Sequence, residues 1–138
     1  MNNVVENFKH VFTHLDASNI GLVDTLYDNN VTFIDPFNEI RGLERLHHYF
    51  HELYKNVLSC EFQFGETFVK DNSAMVVWKM LLSHRTLASN KPIEISGSTM
   101  IQFNDKIYFH RDYFDGGQLL YEQLPLIGHI IRFIKKQV

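Results

Sequence analysis

The sequence has a single cysteine, Cys60, among its 138 residues. That excludes an internal disulfide framework and a multi-cysteine zinc site, and it fits a reducing compartment. There is no surplus of positive charge: the net charge is −3 and the pI near 6.2, so the lysine and arginine excess that neutralises phosphates is missing and nucleic acid is not an expected partner. Nowhere does an apolar run approach the roughly 18 residues a membrane span needs. The opening segment, Met1 to Glu6, has neither a basic start nor an apolar stretch that would mark a signal peptide. These absences point to a soluble, cytoplasmic chain with no integral membrane segment. The seven glycines are scattered, and phosphate loops, dinucleotide fingerprints and nucleophile elbows are absent.

What the chain does have is rings. Aromatic residues make up 14% of it, with twelve Phe, six Tyr and one Trp, more than closing a small core requires. Apolar residues at 45% and charged residues at 21% are ordinary for a globular protein. At roughly 100 to 200 residues per domain, residues 1–138 are expected to form a single domain.

Val4, Val5, Phe8, Val11, Phe12 and Leu15 recur at helical spacing and predict a first helix over about 4–16. Ile20, Val23, Leu26 and Tyr27 predict a second, stopped by Asp28-Asn29-Asn30. Val31 to Asp35 reads as a short strand ended by Pro36, with Val31, Phe33 and Asp35 on one side. Leu43, Leu46, Phe50, Leu53 and Val57 make the stripe of a third, amphipathic helix. Four strands are expected at 60–69, 74–86, 92–103 and 107–115, followed by a helical tail broken at Pro125 and basic at its end. The order predicts an α+β fold in which three N-terminal helices cover a strongly bent, mostly antiparallel sheet, a cone with a pocket.

Three constellations stand out. Asp35 shares the alternation of Val31 and Phe33, so its carboxylate points into apolar surroundings and is a general-base candidate; alternatively it caps the turn at Pro36 or pairs with Arg41. On the last strand, alternation places Tyr108, His110, Asp112 and Phe114 on one face, and Ile107, Phe109, Arg111 and Tyr113 on the other. His110 and Asp112 are then an acid/base pair or part of an exposed polar face. His47 and His51 lie four apart on the third helix, but no other ligand converges on them. They are read as a solvated face, and no metal is expected. The apolar tail around Ile127, Ile130, Ile131 and Ile134 is read as packing over the pocket or a partner subunit, with a membrane-surface helix as the alternative.

The element order, with Val31-Thr-Phe-Ile-Asp-Pro-Phe37, the following Arg41-Gly42 and the closing strand His110-Arg-Asp-Tyr-Phe-Asp115, resembles the nuclear-transport-factor-2-like superfamily over nearly the whole chain. More narrowly it resembles the SnoaL-like and ketosteroid-isomerase-like branch, in a bacterial subgroup of unassigned activity. The resemblance implies the cone-shaped roll of that superfamily, also called cystatin-like. It gives Asp35 the general-base role of the isomerases and sets His110, Asp112 and Phe114 on the inner wall. It also implies a homodimer through the convex face that carries Phe109, Arg111 and Tyr113. The isomerase oxyanion hole has no counterpart: Val11 stands where its Tyr belongs and Thr99 where its Asp belongs, which argues against Δ5-3-ketosteroid isomerisation by that mechanism.

The expectation is therefore a cofactor-free acid/base catalyst of isomerase, dehydratase, cyclase or hydrolase type. It would act on a small apolar molecule through Asp35, His110 and Asp112, with Phe33, Phe50, Trp78, Thr99, Tyr108 and Phe114 lining the pocket. The alternative is a non-catalytic module that binds a hydrophobic ligand.

Overall fold

The computed structural model describes residues 3–85, 91–116 and 136–137. Helix α1 (Asn3–His14) buries Val5, Phe8, Val11 and Phe12, the stripe predicted by its spacing. A 3-10 turn (Ile20–Thr25) follows, then β1 (Tyr27–Ile34), β2 (Glu39–Arg41), α2 (Leu43–Tyr54), β3 (Val57–Lys70), β4 (Ser73–His84), β5 (Ile93–Phe103) and β6 (Ile107–Phe114). The strands form one mixed sheet in the order β2-β1-β6-β5-β4-β3. Only β1 and β6 run parallel; the other neighbours are antiparallel. The helical tail expected over 118–136 lies outside the described residues apart from its end.

Three sequence expectations give way to the sheet. The second helix is only a 3-10 turn, because the chain has joined β6 by Leu26: its carbonyl accepts the Ile107 N–H at 3.0 Å, and Tyr27 pairs with Ile107. Asp28-Asn29-Asn30, read as a helix stop, is a loose stretch inside β1. The register moves from Tyr27–Ile107 to Thr32–Phe109, so five steps of β1 span two of β6. The third difference is β2, too short to be legible as a strand, which pairs antiparallel to the end of β1.

Tyr108 is the extra residue of a β-bulge. Phe103 pairs with Ile107 and Gln102 with Phe109, which leaves Tyr108 unopposed. The bulge resets the alternation, so Ile107 and His110 both face inward, fully buried, while Tyr108 is 40% exposed. The period-two reading across 107–115 placed Tyr108 with His110; the bulge separates them.

The main core joins α1, the 3-10 turn, α2 and the inner faces of β1, β4, β5 and β6. A second cluster of Trp78, Ile93 and Ile95 packs with Phe62, Phe64, Met80 and Phe114. No helix among the described residues is long and apolar enough to cross a membrane.

Candidate functional site

A cavity of about 340 Å³ lies between the helices and the inner face of the sheet. Its wall is mostly rings: Phe8 and Phe12 from α1, Phe33 from β1, Phe50 from α2, and Trp78 and Phe114 from the sheet. Of the expected site residues, Asp35, His110, Asp112, Phe33, Phe50, Trp78, Thr99 and Phe114 line it. Tyr108 does not; the bulge turns it to the outside.

The polar part of the wall is one hydrogen-bonded chain. Trp78 Nε1–H donates to Thr99 Oγ1 at 2.8 Å, and the Thr99 hydroxyl donates to Asp112 Oδ1 at 2.6 Å. The same oxygen lies 2.7 Å from His110 Nε2, and His110 Nδ1 lies 2.8 Å from the Tyr27 hydroxyl. The register makes this possible, since Thr99 sits opposite both Val76 on β4 and Asp112 on β6. Gly97 opposite Trp78 is equally required: a Cβ there would lie 2.5 Å from the Trp78 ring and 2.7 Å from the Tyr113 carbonyl.

Burial, with the Asp112 charge as a smaller cause, pushes the Tyr27 phenol well above its ordinary pKa, so it keeps its proton. His110 bridges the phenol and the carboxylate, Nδ1 toward Tyr27 and Nε2 toward Asp112. Both ring nitrogens are thereby occupied, and the ring is held among Phe33, Phe8 and Phe12, with the Phe33 centroid 4.5 Å away. Asp112 also lines the cavity. Its side chain is 19% exposed, and among the described residues nothing donates to its Oδ2.

Asp35 is held differently. Its Oδ1 accepts the backbone N–H groups of Phe37 and Asn38, both at 2.8 Å, and its Oδ2 accepts the Tyr49 hydroxyl. Turn capping and cavity wall, alternatives in the sequence, are both true of it. Arg41 instead pairs with Glu39 at 2.8 Å. Burial first, then the bond to Asp35, raises the Tyr49 pKa, so this phenol also stays protonated.

Sequence reasoning missed Tyr27, Tyr49, Tyr54 and Cys60. Tyr54 hydrogen-bonds Cys60 at the wall, and burial pushes the Cys60 thiol up to about 11. The helical stripe carried a signal for Tyr49 and Tyr54, which flank Phe50 and Leu53. Tyr27 gave none, since its reading as helix was wrong. His47 and Asp24 meet at 3.3 Å on an open polar surface, and among the described residues no three His, Cys, Asp or Glu side chains are grouped to hold a metal.

An α+β roll of helices on a six-stranded mixed sheet, with a ring-lined cavity inside, defines the nuclear-transport-factor-2-like fold. Within it, the chain belongs to the SnoaL-like domain family, whose model matches residues 8–110. It is similar to a hypothetical protein with a ketosteroid isomerase-like fold from Catenulispora acidiphila, solved with trimethylamine (TM-score 0.75, 12% identity, 89% of this chain and 92% of that one). A nuclear-transport-factor-2-like protein of unknown function from Burkholderia pseudomallei is comparable (TM-score 0.75, 10% identity, 87% and 96%). So is a Mycobacterium tuberculosis protein named as an epoxide hydrolase of the LEH-like type (TM-score 0.71, 15% identity, 94% and 96%). At these identities the likeness is one of fold. No curated protein matches the sequence.

Proposed function

We propose that this chain is a single-domain, cytoplasmic SnoaL-like protein that takes a small, largely apolar molecule into its cavity and transfers a proton on it with its own side chains. The observation that carries this reading is the hydrogen-bonded chain that ends on Asp112 at the wall of an apolar cavity. A carboxylate at the cavity wall, with one oxygen held by two partners and the other without a donor among the described residues, is a general base with its geometry set in advance. His110 orients Asp112 through its Nε2 contact, and the proton taken from the ligand stays on Asp112 until it is returned. Asp35, with Tyr49, supplies a second polar point. Phe33, Phe50, Trp78, Thr99 and Phe114 shape the volume. Isomerisation, dehydration, cyclisation and epoxide hydrolysis all fit such a base.

The test is a turnover screen over enones, β-hydroxy carbonyl compounds and epoxides with apolar bodies. A hit should lose at least about 100-fold in rate in Asp112→Asn, the range general-base removal gives. Equal rates in the variant would overturn the role of Asp112. A second reading, ligand binding without turnover, is favoured by the full engagement of His110 and Asp35 within the protein. Its mark is a ligand that survives purification in native mass spectrometry and is returned unchanged.

A homodimer is part of the same proposal. The outer face of the sheet exposes Val77 at 39% and Tyr113 at 45%, beside Phe109 and Arg111. Sedimentation of a monomer at micromolar concentration would refute it.

A further inference from the structure

We infer that the ligand of this cavity carries a positive charge: a small amine or quaternary ammonium with an apolar body, its cation placed against Asp112 Oδ2. The inference rests on the second reading above, ligand binding without turnover, since a cation on Oδ2 occupies the oxygen a base would use, and it adds the chemical class.

It begins with a charge inventory. Among the described residues, the wall holds two carboxylates, Asp35 and Asp112, and neither lysine nor arginine. The wall's remaining ionisable bases are His110 and His84. His110 is engaged on both nitrogens within the protein, by Tyr27 and by Asp112 Oδ1, and leaves Oδ2 without a partner. His84 stands at the end of β4, eight residues along the strand from Val76, the neighbour of Thr99.

The two carboxylates are not equivalent. Asp35 has three donors on its two oxygens, two of them backbone N–H groups that fix a turn. Asp112 has two donors on Oδ1 and, among the described residues, none on Oδ2. A carboxylate oxygen turned to an apolar volume is costly when a ligand displaces water from it, unless the ligand brings a compensating charge. An anionic ligand would meet two like charges. A neutral hydrocarbon would leave Oδ2 unpaired. A cation compensates the charge, and the rings that line the same cavity, Trp78, Phe62 and Phe114 among them, are surfaces that favour a cation over a neutral hydrocarbon.

The experiment compares two probes of one shape: benzyltrimethylammonium and neopentylbenzene, its uncharged carbon isostere. Binding is read from the fluorescence of Trp78, the chain's one tryptophan. The cation should bind the wild-type protein at least about tenfold more tightly, and Asp112→Asn should remove that preference. Equal or tighter binding of neopentylbenzene by the wild-type protein would overturn the inference and leave the cavity's reading as an apolar-ligand site intact. So would a cation preference that persists in Asp112→Asn. Binding of neither probe would count against both. Should Asp112→Asn fail to fold, the wild-type comparison decides alone.

Discussion

Tyr27 and His110, 83 residues apart in the chain, share a buried hydrogen bond of 2.8 Å that ties Nδ1 of the imidazole to the phenol. The bond exists because β1 and β6 lie side by side in parallel, with Tyr27 at the start of one and His110 just past the bulge of the other. The phenol thus reaches the cavity's carboxylate through the ring, without touching the cavity.

Replacing Tyr27 by Phe removes the donor and leaves Nδ1 buried without it. The variant should lose about 1–2 kcal/mol in urea unfolding. The 15N shift of His110 Nδ1, which loses its partner, should change more than that of Nε2, a difference that a merely looser core would not produce.

Thr99→Val keeps the side-chain shape and deletes both of its hydrogen bonds, leaving Trp78 Nε1–H without its acceptor. A loss of about 1–3 kcal/mol is expected. Because Trp78 is the chain's one tryptophan, its emission should shift in the same variant and report on the cavity wall directly.

Gly97→Ala should be far worse than its size suggests. The new methyl would meet the Trp78 ring at 2.5 Å and the Tyr113 carbonyl at 2.7 Å, and backbone cannot move aside as a flexible side chain would. Destabilisation of about 1–3 kcal/mol or more is expected from such overpacking, measured by thermal or urea unfolding, with Trp78 emission altered in whatever protein folds.

Alkaline pH should weaken the fold. Burial raises Cys60 from 9.0 to about 11, and the buried phenols Tyr27 and Tyr54 are raised above 10.0. Each group holds its proton more tightly when folded, so its contribution is complete below the unfolded pKa and is lost as pH rises through the folded one. Stability should be insensitive to these groups below about pH 9 and fall above it. Alkylation of Cys60 in the native protein should be slow near neutrality and accelerate toward pH 11. A rapid reaction at neutral pH would contradict the buried thiol.

Asp35→Ala removes the acceptor for two backbone N–H groups and for Tyr49. A loss of about 1–3 kcal/mol is expected. A Tyr49→Phe variant, which keeps the turn and loses only the phenol bond, should fall between wild type and Asp35→Ala in urea unfolding.

Much of this protein is written locally. The spacing of Val5, Phe8, Val11 and Phe12 makes α1 amphipathic whatever it packs on, and the stripe through Leu46 and Phe50 does the same for α2. The alternation along β4 and β5, and the excess of rings, belong to the same class of signal, since period and composition are properties of short segments. Asp35, His110 and Asp112 were legible as unusual residues for the company they keep in sequence. What the segments do not contain is their relation to one another. The parallel pairing that turns Tyr27 from a helix residue into a strand residue, the bulge that sends Tyr108 out and keeps Ile107 and His110 in, and the register that lines Trp78, Thr99 and Asp112 into one chain of donors all depend on contacts between distant strands. A one-residue shift in any of them would reverse which faces meet, and no local preference is strong enough to specify it. The sequence by itself determined that this chain would build an α+β roll rich in rings; the tertiary structure alone decided that those rings close around His110 and that Tyr27, Thr99 and Asp112 meet in one hydrogen-bonded chain, because only the strand register brings them together.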